Sequence, residues 1–295
     1  MKHFIYIAIG IMLLGSLFPS INYGSTANPL KAIIESKDTR PEVLESAREV
    51  LLKRLEAYGV QDVEVKTMPD KGQLAFSIGG GYAAKEIMPL LLTAGRLEFC
   101  EVYTQAEAVQ ALKGSEDWKN WARWFPESAD NARAVVATIA AADLPEFQRF
   151  AQARAGNGSL PAGLEFAPGR LPAEDGSIEL YALRYNNGHR PLAGSEAVKS
   201  SNAEYTEASA SAFVGITFNK EGAERWAQAT RDNIGRPLAI AMDGIVFMAP
   251  KVMAEINFGK AQISGDFSLQ EAKLLAALIQ GGELPAAFHL VSVSE

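Results

Sequence analysis

The chain has 295 residues, of which 48% are hydrophobic, enough for one large domain or two smaller ones. Its 28 Lys and Arg against 35 Asp and Glu give a net charge of −7, a surface that repels phosphate backbones and argues against a nucleic-acid partner. The single cysteine, Cys100, excludes an internal disulfide and a Cys-cluster metal site, and within the apolar run "RLEFCEVY" it reads as a small buried hydrophobe rather than a reactive thiol.

The N-terminus opens with Lys2 and His3, then the uninterrupted run "FIYIAIGIMLLGSLF", then Pro19 and the small polar stretch "NYGSTANP". A basic start, an apolar segment and small residues beyond it make residues 1–27 an export signal or an N-terminal membrane anchor. Ser25-Thr26-Ala27 suits a signal peptidase, and the run is short of the roughly 20 apolar residues that span a bilayer. Extended through Ile21, residues 4–21 would associate with the membrane instead. Either outcome places the rest of the chain outside the cytoplasm, in the periplasm or beyond. No second run of membrane length follows.

Next, "RPEVLESAREVLLKRLEAYG" spaces Val43, Leu44, Ala47, Val50, Leu51, Leu55 and Tyr58 as a helix, with Pro41 at its start and Gly59 past its end. "VQDVEVKT" and "QLAFSI" alternate as strands around the turn "MPDKG". "GGGYAAKEIMPLLLTAG" runs as a helix and "RLEFCEVY" as a strand. With "LKAIIES" as a first strand, the order matches a split βαββαβ, ferredoxin-like pattern over residues 28–103. Further on, Trp118, Trp121 and Trp124 sit three apart, on one helical stripe that faces either a core seam or a partner. "ARAVVATIAAADLPEFQRFAQARAG" reads as two more helices. The Gly-, Pro- and Asn-rich stretch from 156 to 194 holds one strand candidate, "IELYALRY". The last third is clearer. "SAFVGITF" is a strand, Asn219 caps a helix, "AQISGDF" is a strand, Ser268 and Glu271 begin another helix as a capping box, and "LPAAFHLVSVSE" closes as a strand.

Chemistry-bearing residues are few. His3 belongs to the leader, His189 to the loop "NNGHRP" and His289 to the final strand, and none is spaced with carboxylates as a metal site or a catalytic dyad would need. The glycines of "IGGGYA" lack the Lys-Ser/Thr of a phosphate loop and the spacing of a dinucleotide fingerprint, so they read as turn residues. The sequence offers no catalytic, metal or cofactor site and no positive case for an enzyme.

The stretch "PLAIAMDGIVFMAPKVM" is a hairpin around Asp243-Gly244, a step that favours a type I′ turn. Here the chain resembles a known family. "VLESAREVLLKRLEAYGV", "GRLEFCEVY", "ITFNKEGAERWAQATRDNIGRPLAIAMDGIVFMAPKV" and "AQISGDFSLQEAKLLAALIQGGELPAAFHLV" look like successive blocks of the large first periplasmic domain of SecD, a subunit of the SecDF protein-export complex. The carrying residues include Arg54, Gly59, Phe218, Gly222, Asp243, Gly244, Ala249, Pro250, Gly265, Phe267, Leu284 and Pro285. The match is strong in the last third and weak from 104 to 190. The resemblance implies an α+β fold: a ferredoxin-like base over 28–103, rejoined by 283–295, with an α/β head subdomain inserted over 104–282 and SecD-like from about 190. It implies binding of exported or unfolded polypeptides, with the Sec translocon or SecF-like membrane proteins as further partners. The chain ends at Glu295, where the family's transmembrane bundle would begin, so no proton conduction of its own is expected. Met242, Ile245, Phe247 and Met248 are the candidate polypeptide contacts, since flexible methionine suits varied sequences. The competing roles are core filling by these same residues, and a non-enzymatic envelope scaffold that kept the fold outside export.

Overall fold

The chain enters the fold at a strand, β1 (Leu30–Ser36), followed by α1 (Pro41–Tyr58), β2 (Val63–Met68), β3 (Gln73–Ile78) and α2 (Ala84–Leu92). This computed structural model describes residues 28–113, 118–126, 129–185, 190–206 and 211–294. The expected signal or anchor at 1–27, with His3, and the loop residue His189 lie outside the described residues. Pro41 occupies the first turn of α1, where its missing N–H costs nothing, and Gly59 ends the helix at φ 108° with its amide donating to the Leu55 and Glu56 carbonyls. Between them Val43, Leu44, Ala47, Leu51 and Leu55 form one buried stripe.

There follow β4 (Leu97–Val102), α3 (Gln105–Lys113), α4 (Trp118–Trp121), β5 (Val135–Ala140), α5 (Leu144–Gly156), β6 (Leu164–Pro168), β7 (Ser177–Arg184) and β8 (Ala193–Gly194). Then come β9 (Val198–Thr206), β10 (Ser211–Phe218), α6 (Lys220–Asp232), β11 (Leu238–Met242), β12 (Ile245–Met248) and β13 (Lys260–Phe267). Two last elements, α7 (Leu269–Gly281) and β14 (Phe288–Ser294), complete the chain. The class is α+β, as the sequence indicates. Among the described residues, 28–94 with 270–294 form one unit and 95–269 another.

Unit 1 holds a four-stranded antiparallel sheet in the order β14-β1-β3-β2. Leu30, Ala32 and Ile34 of β1 and Leu74, Phe76 and Ile78 of β3 bury one face of it, while Lys31, Gln73 and Ser77 occupy the other. Ile87, Leu90 and Leu91 of α2 and the α1 stripe supply the apolar partners. Helix α7, expected in the head, belongs to this unit. Its Gly281 explains why: a Cβ there would lie 2.3 Å from Arg54 Cγ, so only glycine lets α7 close on α1.

Arg54 is the largest buried charged group of unit 1, at 0% exposure. Its Nη1 donates to the carbonyls of Leu90 (3.0 Å) and Thr93 (2.6 Å), and its Nη2 to those of Ala94 (2.7 Å) and Gly282 (2.6 Å). The planar guanidinium fork thus serves the C-terminal carbonyls of α2 and the turn after α7 together.

Unit 2 contains a three-stranded antiparallel sheet, β13-β10-β9, and a seven-stranded sheet ordered β12-β11-β4-β7-β5, with β6 on β7 and β8 on β4. The strand Leu97–Val102 differs from its expected place in the base. It pairs with β11 on one side and with β7 and β8 on the other. Leu97, Glu98, Phe99, Cys100 and Val102 are all buried, so both faces of this strand need cover, which a central position in unit 2 gives and an edge of a one-faced sheet would not. A second difference lies at "AVVATIAA", read as helix but forming β5. Val135, Val136, Thr138 and Ile139 are β-branched, and the strand pairs with β7.

The three tryptophans resolve as core. Helix α4 ends at Trp121, and Trp121 and Trp124 are buried with Phe125, Phe147 and Leu180 while Trp118 packs partly buried against them. Trp121 meets Phe150 edge-on at 4.6 Å and lies 5.5 Å from Phe166. The start of α3 is a capping box that the sequence reading missed: Thr104 Oγ1 accepts from the Glu107 amide, and Glu107 Oε2 accepts from the Thr104 amide. The same carboxylate takes both Nη1 and Nη2 of Arg236, at 3.0 and 2.9 Å, and Nη2 of Arg184 at 3.2 Å.

Two outcomes follow from these contacts. Replacing Arg54 by Met leaves four carbonyls without their shared donor. At about 1–3 kcal/mol per buried unsatisfied group, we expect a loss of at least about 3 kcal/mol in urea denaturation followed by circular dichroism. Arg54→Lys should recover only part of it, because one ammonium cannot fork to carbonyls on both sides. A loss under about 1 kcal/mol for Arg54→Met would contradict the assignment. For Glu107, burial pushes the carboxyl pKa up, but the Arg236 and Thr104 amide hydrogen bonds and the Arg236 and Arg184 charges outweigh it, and the net shift is downward. A depressed folded pKa gives stability that is present above the unfolded value, about 4.3, and is lost as pH falls through the folded value. Stability measured from pH 7 down to pH 3 should therefore fall less steeply on the acid limb in Glu107→Gln than in the parent; identical acid limbs would refute the linkage.

Candidate functional site

The hairpin β11–β12 is built around two residues in the left-handed region, Asp243 at φ 52° and Gly244 at φ 76°, the pair of positive angles that a type I′ turn requires. A non-glycine residue in this conformation needs support, and Asp243 has it. Its carboxylate accepts the amides of Gly95 (2.9 Å) and Arg96 (2.8 Å), and its own amide donates to the Arg96 carbonyl at 3.1 Å. The turn is therefore also a fastener for the start of β4.

The pairing within the hairpin sets Ala241 opposite Val246, Met242 opposite Ile245 and Ile240 opposite Met248, with a register shift that leaves Phe247 as the extra residue of a bulge. The four candidate contacts separate accordingly. Met242 and Met248 are buried, at 4% and 8% exposure, so these two methionines fill the core rather than offer an adaptable surface. The reason is that β11 is an interior strand buried at every position, and Met248 faces Ile240 within that interior. Ile245 is 40% exposed and Phe247 partly exposed. Of the four, only Ile245 and Phe247 reach the surface.

Phe267, singled out in the sequence only for the resemblance, and Arg170, not singled out there, join Phe247. Phe267 stacks on it, with ring centroids 6.3 Å apart and planes at 25°. The Arg170 guanidinium lies 4.5 Å from the Phe267 centroid and 6.0 Å from that of Phe247, and its Nη2 donates to the Asp266 carbonyl at 3.3 Å. Leu171 beside it is 57% exposed. An isolated bridge between Gly169 and Val246 brings this segment to the hairpin. No local signal in "APGRLPAE" foretells the meeting, because its partner is far away in sequence.

The remaining candidates carry no chemistry of their own. Cys100 is wholly buried, and its thiol pKa is pushed up to about 12, chiefly by burial and further by Glu98 and Glu165, against a hydrogen bond with Tyr185. His289 sits on β14, 3.7 Å from Glu35. Gly80 and Gly81 take φ 93° and 72°, the tight turn expected of "IGGGYA". Among the described residues no three His, Cys, Asp or Glu side chains are placed to hold a metal, and no helix is long and apolar enough to cross a membrane.

Comparison with known proteins shows what these features resemble. Residues 177–286 match the family model of the SecDF P1 head subdomain. The SecD protein translocase subunit of Syntrophobacter fumaroxidans is 36% identical over 102 residues, which is 35% of this chain and 19% of that protein. That of Endomicrobium trichonymphae is 26% identical over 252 residues, 85% of this chain and 46% of the relative. The chain thus spans less than half the length of these relatives. Among solved structures, a crystal structure of SecDF in a super-membrane-facing form superposes with a TM-score of 0.56 at 23% identity, covering 90% of this chain and 30% of the other. A structure described as a membrane component SecDF that enhances protein export gives a TM-score of 0.54 at 24% identity, covering 90% of this chain and 99% of that one. At such identities the superpositions speak for the fold, and the sequence matches speak for the family. Residues 177–286 thus resemble a SecDF P1 head subdomain, and over most of its length the chain is similar to SecD proteins and shares the fold of the SecDF structures.

Proposed function

We propose that this chain works on the periplasmic side of Sec-dependent protein export, as a non-enzymatic module that binds translocating or unfolded polypeptide. The observation that carries this reading is the coincidence of the head-subdomain match with an apolar and cationic surface, Ile245, Phe247, Arg170 and Leu171, inside the matched hairpin and its neighbour. Such a surface suits sequence-tolerant contact. Apolar side chains meet apolar side chains of any order, and an arginine over aromatic rings also donates to backbone carbonyls and acidic residues. In the same reading 28–94 belongs to the base and 95–269 to the head, and the head-subdomain match runs on through α7 to residue 286. The strand order β14-β1-β3-β2, with α1 and α2 on one side, supports a split ferredoxin-like base. Residues 1–27 deliver the chain across the membrane or tether it there. Exported polypeptides and the Sec translocon are the partners this reading requires.

Binding should be weak. Ordering a flexible chain opposes association, so micromolar affinity, about −8 kcal/mol, is the expected ceiling. Fluorescence anisotropy with a labelled unfolded peptide measures it, and thermal melts run beside it separate surface from core. Ile245→Ser should shift stability by no more than about 0.5 kcal/mol and weaken binding several-fold. Met248→Ser should instead cost about 3 kcal/mol, from the lost buried side chain and the hydroxyl left in its place. A folded parent chain that binds no peptide at high micromolar concentration would defeat the proposal.

A further inference from the structure

The edges of the sheets are not alike. In unit 1 the outer strand β2 carries Glu64 and Lys66, and in unit 2 the outer strands β9 and β13 carry Lys199 and Glu204, and Lys260 and Asp266. Charges of this kind deter a foreign strand. Strand β12 is four residues long and bridged by Gly169, and β5 is mostly buried. The edge strand β14, "FHLVSVS", has none of these protections: no Lys, Arg, Asp or Glu, no Pro and no Gly in seven residues, with every position from His289 to Ser294 exposed. Among the described residues its ladder partner is β1 alone.

The side chains of β14 give a second reason to look there. Val293 pairs with Ala32 and Leu290 with Ile34, so both stand on the buried face of the sheet. Ala32 is 1% exposed and Ile34 0%, yet Val293 is 39% exposed and Leu290 38%. The core row thus continues onto β14, where α2 packs against the strand but leaves these two side chains more than a third exposed. A register shift leaves Val291 unpaired and 48% exposed, and regular pairing continues on both sides of it.

We infer that β14 receives an extended, weakly charged polypeptide segment as a fifth strand of this sheet. Main-chain N–H and C=O groups of the segment would complete the outward-facing half of the β14 ladder, and alternate apolar side chains would cover Leu290 and Val293. Recognition through the backbone tolerates any sequence with that alternation, and the neutrality of β14 avoids repelling an acidic or a basic segment. The inference rests on the polypeptide-binding reading above and names a second contact mode for the same class of ligand, through main chain rather than through the Ile245 and Phe247 surface.

Two peptides test it on the full chain: a labelled twelve-residue peptide of alternating Val and Thr, and the same peptide N-methylated at every second residue, which cannot donate along one edge. The unmodified peptide should bind at least tenfold tighter than the methylated one, and should slow hydrogen exchange of β14 amides. Val291→Lys and Val293→Lys, both at exposed positions and checked for folding by circular dichroism, should abolish that tenfold preference, while Ile245→Ser should leave it in place. If both peptides bind equally and the lysine variants change nothing, the edge is not used, although the polypeptide-binding reading survives. If neither peptide nor any unfolded chain binds, both fall. If sedimentation shows the parent chain dimerising and the lysine variants monomeric, a second copy occupies the edge and the inference is overturned.

Discussion

A single buried guanidinium sets the constraint on which unit 1 depends. Arg54 reaches the end of α2 and the turn after α7 at once, and supplies a donor to four carbonyls in the interior of this unit. The glycine at 281 is a consequence of the same side chain, since α7 must approach until its backbone touches the Arg54 stem. Nearby, the Ala94 carbonyl accepts a second bond from the Leu284 amide. In unit 2 the next amide, that of Gly95, belongs to the Asp243 carboxylate. The peptide group that ends one unit and begins the next therefore has both of its polar atoms committed, each by its own side of the chain.

What was legible in the sequence was local. Pro41 and Gly59 bracket α1 because proline and glycine have fixed conformational preferences, and the Asp-Gly step announces a turn because few residues accept positive φ. What was illegible depended on partners distant in sequence. "LEFCEV" alternates well enough to be any strand. Only burial on both faces assigns it to the interior of the larger sheet. "AVVATIAA" contains as many helix-compatible alanines as β-branched residues, and the ladder offered by β7 decides it. The tryptophan stripe was visible, and burial settled its direction. For the hairpin, the composition indicated apolar surface or apolar core, and the answer divides residue by residue. The bulge at Phe247 turns one aromatic outward while the flanking methionines stay inside, and no periodicity rule reveals a bulge beforehand.

The outward aromatic is not left bare. Phe267 and Arg170 close on Phe247 from different segments, so the surface has a defined shape rather than a loose side chain. Rigid aromatic contact area costs little entropy on binding, whereas methionines would adapt more and specify less. The family match covers the hairpin and Phe267, within residues 177–286, while Arg170 lies just outside it.

The pairing of β14 with β1 has a consequence for the order in which the molecule forms during synthesis. Among the described strands β1 leaves the ribosome before the others and β14 after them, and the bond from Arg54 to Gly282 spans 228 residues. Everything unit 2 needs is made in between, as one continuous stretch with its own sheets and core. The inserted unit can thus complete its fold while unit 1 still waits for a strand and a helix, and the half-built sheet must hold an open edge and an unfilled arginine for that whole interval. The sheet whose first strand is made before the insertion is completed only after it, and its exposure to misassembly lasts as long as the insertion is long.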